Sequence, residues 1–242
     1  MRALLGSSDL TIDIAEETVP VRLRRNARAK KMILRVDGVN GDIKLTAPSH
    51  VSRSALRSFL NEHRAWIEIE RAKVHAYPAL GPGDQLPYLG EKYSLEFLDA
   101  PPRKVRRTDG KILVGGPADQ APARLERWLR AEAKKHLGED AHEFADCLGV
   151  SIGRISIGDM KSRWGSCSSS GTLRFNWRLL LAPVEVRRYV AAHEVAHLIE
   201  MNHSPRFWRH VERLIPDYAL HRKWLRAHGS DLMRLRFDGN PG

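Results

Sequence analysis

The stretch His193-Glu194-Val195-Ala196-His197-Leu198-Ile199-Glu200-Met201-Asn202-His203 constrains this chain more than any other part of it. On a helix, residues four apart lie about 40° apart around the axis and one turn along it, so His193 and His197 share a face and can share an ion. A helix continuing past His197 would point His203 roughly 120° away from it. For the third histidine to join the other two, the helix must stop between positions 197 and 203. Asn202 suits that stop, because asparagine tolerates the left-handed conformation that closes helices. Ser204-Pro205 then reads as an N-cap with proline at the first position of a new helix. The expected metal ligands are therefore His193, His197 and His203. Glu194 adjoins the first of them, placed to take a proton from metal-bound water. Glu200 lies one turn beyond His197 on the same face but too far along the axis, which gives it a supporting or solvated role.

Two histidines with a third nitrogen donor suit zinc, one ion per chain, held tetrahedrally with water in the open position. Glu194 would then act as general base toward a carbonyl, which is the chemistry of peptide-bond hydrolysis. A further donor would help the developing oxyanion, and Arg174, His210, Tyr218 and His221 are all candidates between which spacing does not choose. The segment Thr172 to Trp177 reads as a strand with Thr172, Arg174 and Asn176 on one face. These three are the candidate substrate-binding residues, since an extended peptide could pair with the edge of that strand; an ordinary buried strand is the competing reading. Cys167 and Trp164 precede it in a turn-rich loop, and Cys167 reads as a small buried thiol rather than a ligand. His142-Glu143-Phe144-Ala145-Asp146 imitates the metal motif but ends in aspartate, and is expected to be an exposed helix face.

The remainder of the 242 residues sets the frame. Hydrophobic content of 42% and charged content of 29% describe an ordinary globular protein. No apolar run approaches the roughly 20 residues a membrane span needs, which predicts no membrane partner. Met1 to Asp9 is too weakly apolar for a secretion signal. Two cysteines without C-x-x-C pairing make a disulfide framework improbable and fit a reducing cytoplasm. The net charge of +11 admits weak, non-specific nucleic-acid contact. Arg22, Arg24, Arg25, Arg28, Lys30, Lys31 and Arg35 crowd one stretch, but without aromatic residues for base stacking a solvated strand face is the better reading.

The chain reads as α+β: a compact domain of helices on a small sheet around the motif helix, preceded by a basic β-rich subdomain. Residues 1–19 look like a loose arm with at most one strand, 20–117 like the β-rich subdomain with one helix, 118–235 like the chemistry-bearing domain, and 236–242 like a tail. Within these bounds Lys30 to Val36 and Asp42 to Ala47 are expected strands joined through Asp37-Gly38-Val39-Asn40-Gly41. Ser52 to Val74 has the spacing of one helix, Tyr88 to Leu98 and Lys111 to Val114 of strands, and Ala123 to Leu148 of a long amphipathic helix. No repeats are evident.

Lys161-Ser-Arg-Trp-Gly-Ser-Cys-Ser, Asn176-Trp-Arg-Leu, and His193-Glu-Val-Ala-His-Leu with Asn202-His-Ser-Pro-Arg-Phe-Trp together resemble the YgjP-like metallopeptidase-domain family, over about Val21 to His228. The resemblance implies a compact zincin fold related to SprT-like and WLM-type proteases. It also implies zinc on His193, His197 and His203 with Glu194 catalytic, and it leaves the physiological substrate open; a peptide or unfolded protein is the substrate expected of a zinc endopeptidase. The SprT-like and WLM-type relatives cleave proteins on DNA, so a DNA-linked protease, or a nucleic-acid-binding module with an inactive metal site, is one alternative. A metal-dependent endoribonuclease of the YbeY type, with the same histidine spacing, is another. Its motif resembles His-Gly-x-x-His, and Glu194 argues for the peptidase.

Overall fold

The computed structural model describes residues 10–14, 17–37, 41–75 and 79–237, in two compact units that divide between Pro78 and Ala79. Residues 1–9 of the expected arm and 238–242 of the expected tail lie outside the described residues.

In the first unit, β1 (Thr11–Ile14), β2 (Glu17–Arg25), β3 (Ile33–Val36) and β4 (Ile43–Ala47) form a sheet in the order β1-β2-β4-β3. The outer pairs are antiparallel and the central β2–β4 pair is parallel. Alternation sends Ile12, Ile14, Val19, Val21, Ile43 and Leu45 into one core, together with Leu56 and Leu60 of α1 (Arg53–Glu62) and Ile67 of α2 (Arg64–His75). A single helix was expected over these last two. It breaks at His63, whose Nδ1 lies 2.8 Å from the Phe59 carbonyl and whose backbone turns back on the same residue. The opposite sheet face carries the basic run: Arg22, Lys44 and Arg35 occupy one cross-strand row. Arg22 pairs with Asp42 at 2.8 Å and Lys44 with Asp37 at 2.7 Å. Arg25 donates to the carbonyls of Pro48 and Val51. Arg22 and Arg25 of the run are thus employed within this unit.

The second unit opens with the same plan. β5 (Gln85–Tyr88), β6 (Glu91–Leu98), β7 (Val105–Thr108) and β8 (Lys111–Gly115) pair in the order β5-β6-β8-β7, again antiparallel, parallel, antiparallel. In both sheets the fourth strand leads into a helix, so a four-strand-plus-helix unit is drawn twice although no sequence repeat announces it. The strand expected over Tyr88 to Leu98 is present as β6 from Glu91 onward; Tyr88 instead ends β5, and the two strands form a hairpin turned at Leu89-Gly90 with positive φ at both residues (52° and 85°).

The helix that follows, α3 (Ala121–Leu148), buries Leu125, Leu129, Ala133, Leu137, Ala141 and Phe144 as one stripe. Leu86, Tyr88, Leu95, Ile112 and Val114 enter the same core. The boundary expected near 117 is therefore displaced to 78. Gly115-Gly116-Pro117, whose composition marks a break, is a close approach: a Cβ on Gly115 would stand 2.2 Å from the Pro102 carbonyl oxygen. Beyond α3 come β9 (Arg154–Gly158), β10 (Gly165–Cys167) and β11 (Thr172–Asn176), in the order β10-β11-β9. Three helices complete the unit: α4 (Val184–Ala196), α5 (Pro205–Leu214) and α6 (Tyr218–Arg234). The class is α+β, with helices on small mixed sheets and a β-rich N-terminal portion, as expected. No helix of the described residues is long and apolar enough to cross a membrane.

Candidate metal centre

The motif helix α4 is buried on nearly every side, burying Val186, Val190, Ala191, Ala192, Val195 and Ala196. A helix so enclosed needs its polar residues satisfied. Arg187 Nε donates to Asp140 Oδ2 of α3 at 2.7 Å, and Arg188 donates to Asp140 Oδ1 at 3.2 Å and to Glu143 Oε2 at 2.8 Å. Glu143, part of the decoy motif, is exposed as expected and serves as an anchor for the true one.

The helix stops where the third ligand requires, at Ala196, with His197 as its C-cap. The device differs from the expected one. Asn202 does not take the left-handed conformation; Leu89 is the one non-glycine described residue that does. The turn tightens instead, with Leu198 N–H donating to Val195 O at 2.9 Å and Glu200 N–H to Ala196 O at 3.1 Å. Asn202 acts through its side chain. Its Oδ1 accepts from Ser204 N–H at 2.9 Å and its Nδ2 donates to Glu200 Oε1 at 2.7 Å, a local bond that reverses the chain without a strained φ. Ser204 then caps α5 by accepting from Phe207 N–H, with Pro205 at its first position.

These turns bring His193, His197 and His203 together, each offering one nitrogen, all within 4.8 Å of one another. The Nε2 atoms of His193 and His203 are 3.1 Å apart, near the roughly 3.3 Å between two nitrogens on one tetrahedral zinc. His197 Nδ1 donates to the Glu200 carbonyl at 3.0 Å, which leaves its Nε2 as the lone-pair nitrogen. Burial, and then the neighbouring His197 and His203, pull His193 down to about 3, while burial lowers His197. Both are thus neutral near pH 7, the state a metal ligand needs. The donor set fits a divalent ion of the zinc type. Phe207 floors the cluster, its ring centroid 4.8 Å from His193, 4.4 Å from His197 and 4.8 Å from His203.

Glu194 is only 6% exposed. Burial pushes its carboxyl up to about 8, opposed by the charge of Arg163; a cation at the histidines would draw it down again. Its carboxylate lies against the backbone of Gly165 in β10. Glu200 sits outside the cluster as expected, tied to His197 by its carbonyl and to Asn202 by its carboxylate. Cys167, partly buried with a free thiol, is not among the clustered donors.

The structure treats the substrate-binding candidates differently. β11 is antiparallel to β10 on one side and parallel to β9 on the other, so it has no free edge for a peptide. Asn176 is fully buried, its Nδ2 donating to Met160 O and its Oδ1 accepting from Arg178 N–H. Arg174 lies along Gly158 of β9. Thr172 is half-buried at the start of the strand. The edges of this sheet belong to β9 and β10, and it is β10 whose Gly165 lies against Glu194. Of the oxyanion candidates, Tyr218 joins the aromatic wall of the site, stacking on Trp208 at 5.1 Å, and Trp208 stands 5.8 Å from His193. His221 is engaged with Asp217 at 3.1 Å. A cavity of about 390 Å³ opens beside His197, lined by Ser151, Ser168, Ser169, Leu198 and Met201 among others. Sequence reasoning missed Gly165; Phe207, which the sequence alone would place in the core, is fully buried there and also lies under the cluster. The signal for Phe207 was its place three residues after the Ser204 cap, one turn from the third ligand.

Residues 30–228 match the family model described as YgjP-like, metallopeptidase domain. No curated protein matches. Among solved structures, the chain is similar to the crystal structure of the metallopeptidase zymogen of Pyrococcus abyssi abylysin, at 25% identity over 41% of this chain and 98% of that one, with a TM-score of 0.36.

Proposed function

The chain belongs to the YgjP-like metallopeptidase family, and we propose that it is a zinc-dependent endopeptidase acting on extended or unfolded protein. The observation that carries this reading is the coincidence of three converging imidazoles, two from one turn at the end of α4 and one from the bend after it, with a buried carboxylate that is not a fourth member of their cluster. A purely structural zinc site is closed by a fourth protein ligand, and among the described residues only His193, His197 and His203 assemble.

His193, His197 and His203 would hold the ion. When bound, zinc would polarise the scissile carbonyl and the attacking water. Glu194, beside the first ligand, takes the proton of that water on its carboxylate and returns it to the leaving amine nitrogen. Main-chain pairing falls to the open edge of β10 in place of Thr172, Arg174 and Asn176, and demands an extended backbone with little regard to side chains. The cavity beside His197 takes one substrate side chain of moderate size. Tyr218, which stacks on Trp208 in the aromatic wall of the site, is our candidate donor to the carbonyl oxygen.

The test is Glu194→Gln. The amide keeps the shape of the side chain but cannot accept the proton, so zinc should remain at one per chain while cleavage of unfolded casein falls by about 10²–10⁴-fold. Zinc by elemental analysis and fragments by mass spectrometry are read on the same sample. A fully metallated variant that cleaves at the wild-type rate, or a zinc-loaded wild type that cleaves nothing, sinks the proposal.

A further inference from the structure

The segment Arg163-Trp164-Gly165 leads into and begins the open-edged strand beside Glu194. A Cβ built on Gly165 would stand 2.4 Å from Glu194 Oε1, 2.6 Å from its Cγ and 2.7 Å from its Cδ. All three distances lie inside ordinary carbon contact. The strand backbone and the carboxylate therefore occupy space that any side chain at position 165 would claim.

The strand has little room to retreat. Gly165 is in register with Phe175 on β11, and the preceding Trp164 carbonyl accepts from Asn176 N–H at 2.8 Å. On its other side Trp164 is keyed against α6. A Cβ on Gly229 would lie 3.1 Å from the indole Nε1 and 3.2 Å from Cζ2. A glycine inside a helix weakens it, and the fit of the indole accounts for this one. Asn176 Nδ2 also reaches Met233 Sδ of α6 at 3.4 Å, so the same helix is tied to β11. With β10 pinned between β11 and α6, a side chain at 165 would be absorbed by the carboxylate.

We propose that Gly165 is a positioning residue for Glu194: its bare Cα forms the wall against which the carboxylate is set, and Trp164 packed on Gly229 holds that wall in place. This rests on the reading of Glu194 as the proton-transferring group. A displacement of about 1 Å at such a group costs on the order of 10²-fold in rate without touching the metal ligands.

The experiment uses full-length zinc-loaded protein as wild type, Gly165→Ala, Glu194→Ala and the double variant. Zinc content, melting temperature and cleavage of a fluorogenic peptide are measured on each. Gly165→Ala is expected to keep one zinc and a KM within about 2-fold of wild type while kcat falls by about 10²-fold or more. It is also expected to lower the melting temperature in the wild-type background and to leave it unchanged in the Glu194→Ala background, where the atoms it would strike are gone. Wild-type kcat in Gly165→Ala, or an equal loss of melting temperature in both backgrounds, overturns the proposal. Should the wild type itself fail to cleave, the peptidase reading falls, while the melting cycle still decides whether Gly165 and Glu194 are coupled.

Discussion

At the scale of the residue, the site divides into groups that announce themselves and groups that do not. His193, Glu194, His197 and His203 are legible because metal chemistry permits few side chains and helix geometry fixes their spacing. His203 is the most exposed of the three histidines and comes from the turn after α4, not from the helix itself. His203→Ala is expected to weaken zinc by at least about 10²-fold, given that even outer-shell losses cost 10–100-fold. Titration against a chromogenic chelator checks this, and full affinity in His203→Ala with loss in Glu200→Ala would reverse the ligand assignment. Phe207 and Gly165 were not legible, because what they contribute is shape. A phenylalanine under three imidazoles looks in sequence like any core phenylalanine, and a glycine that makes room looks like any loop glycine. Asn202 was placed correctly and given the wrong means: its side chain, not its backbone, ends the motif turn.

At the scale of the element, periodicity found most helices and strands and misjudged their punctuation. The α1–α2 break at His63 leaves no Gly or Pro to betray it, and the β5–β6 hairpin turns on a leucine with φ of 52°, which turn rules do not anticipate. Of the two readings of β11, edge strand and ordinary buried strand, the second holds, and sequence could not choose because pairing partners are a tertiary fact: β9 and β10 flank it from before in sequence, one on each side. The anchoring of α4 to α3 was also invisible, since Asp140 and Arg187 are 47 residues apart. Both are nearly buried, with side-chain exposures of 5% and 8%. Asp140→Ala would strand the Arg187 guanidinium in the core, and a loss of about 3–5 kcal/mol of stability is expected. Urea unfolding measures it; a loss below about 1 kcal/mol, the worth of a surface pair, would mean that the bridge is not a structural anchor.

At the scale of the whole molecule, two separate cores serve two units, and only the second contains the histidine cluster. Zinc held at that cluster would stabilise what must be folded to form it. Hydrogen exchange with and without zinc should therefore show added protection around 184–211 and none over 11–67; protection gained equally in both would refute the division. The duplicated sheet plan escaped notice in the sequence because strand order and direction tolerate wholesale replacement of side chains, provided alternation survives. The open edge of β10 has a consequence of another kind. Unpaired main-chain groups welcome any extended chain, and an identical copy of this protein, partly unfolded, is as acceptable to them as a substrate. At three residues the strand is too short to template a growing sheet. If substrates pair there as proposed, a longer strand would grip them better and would also make the protein prone to aggregate with itself.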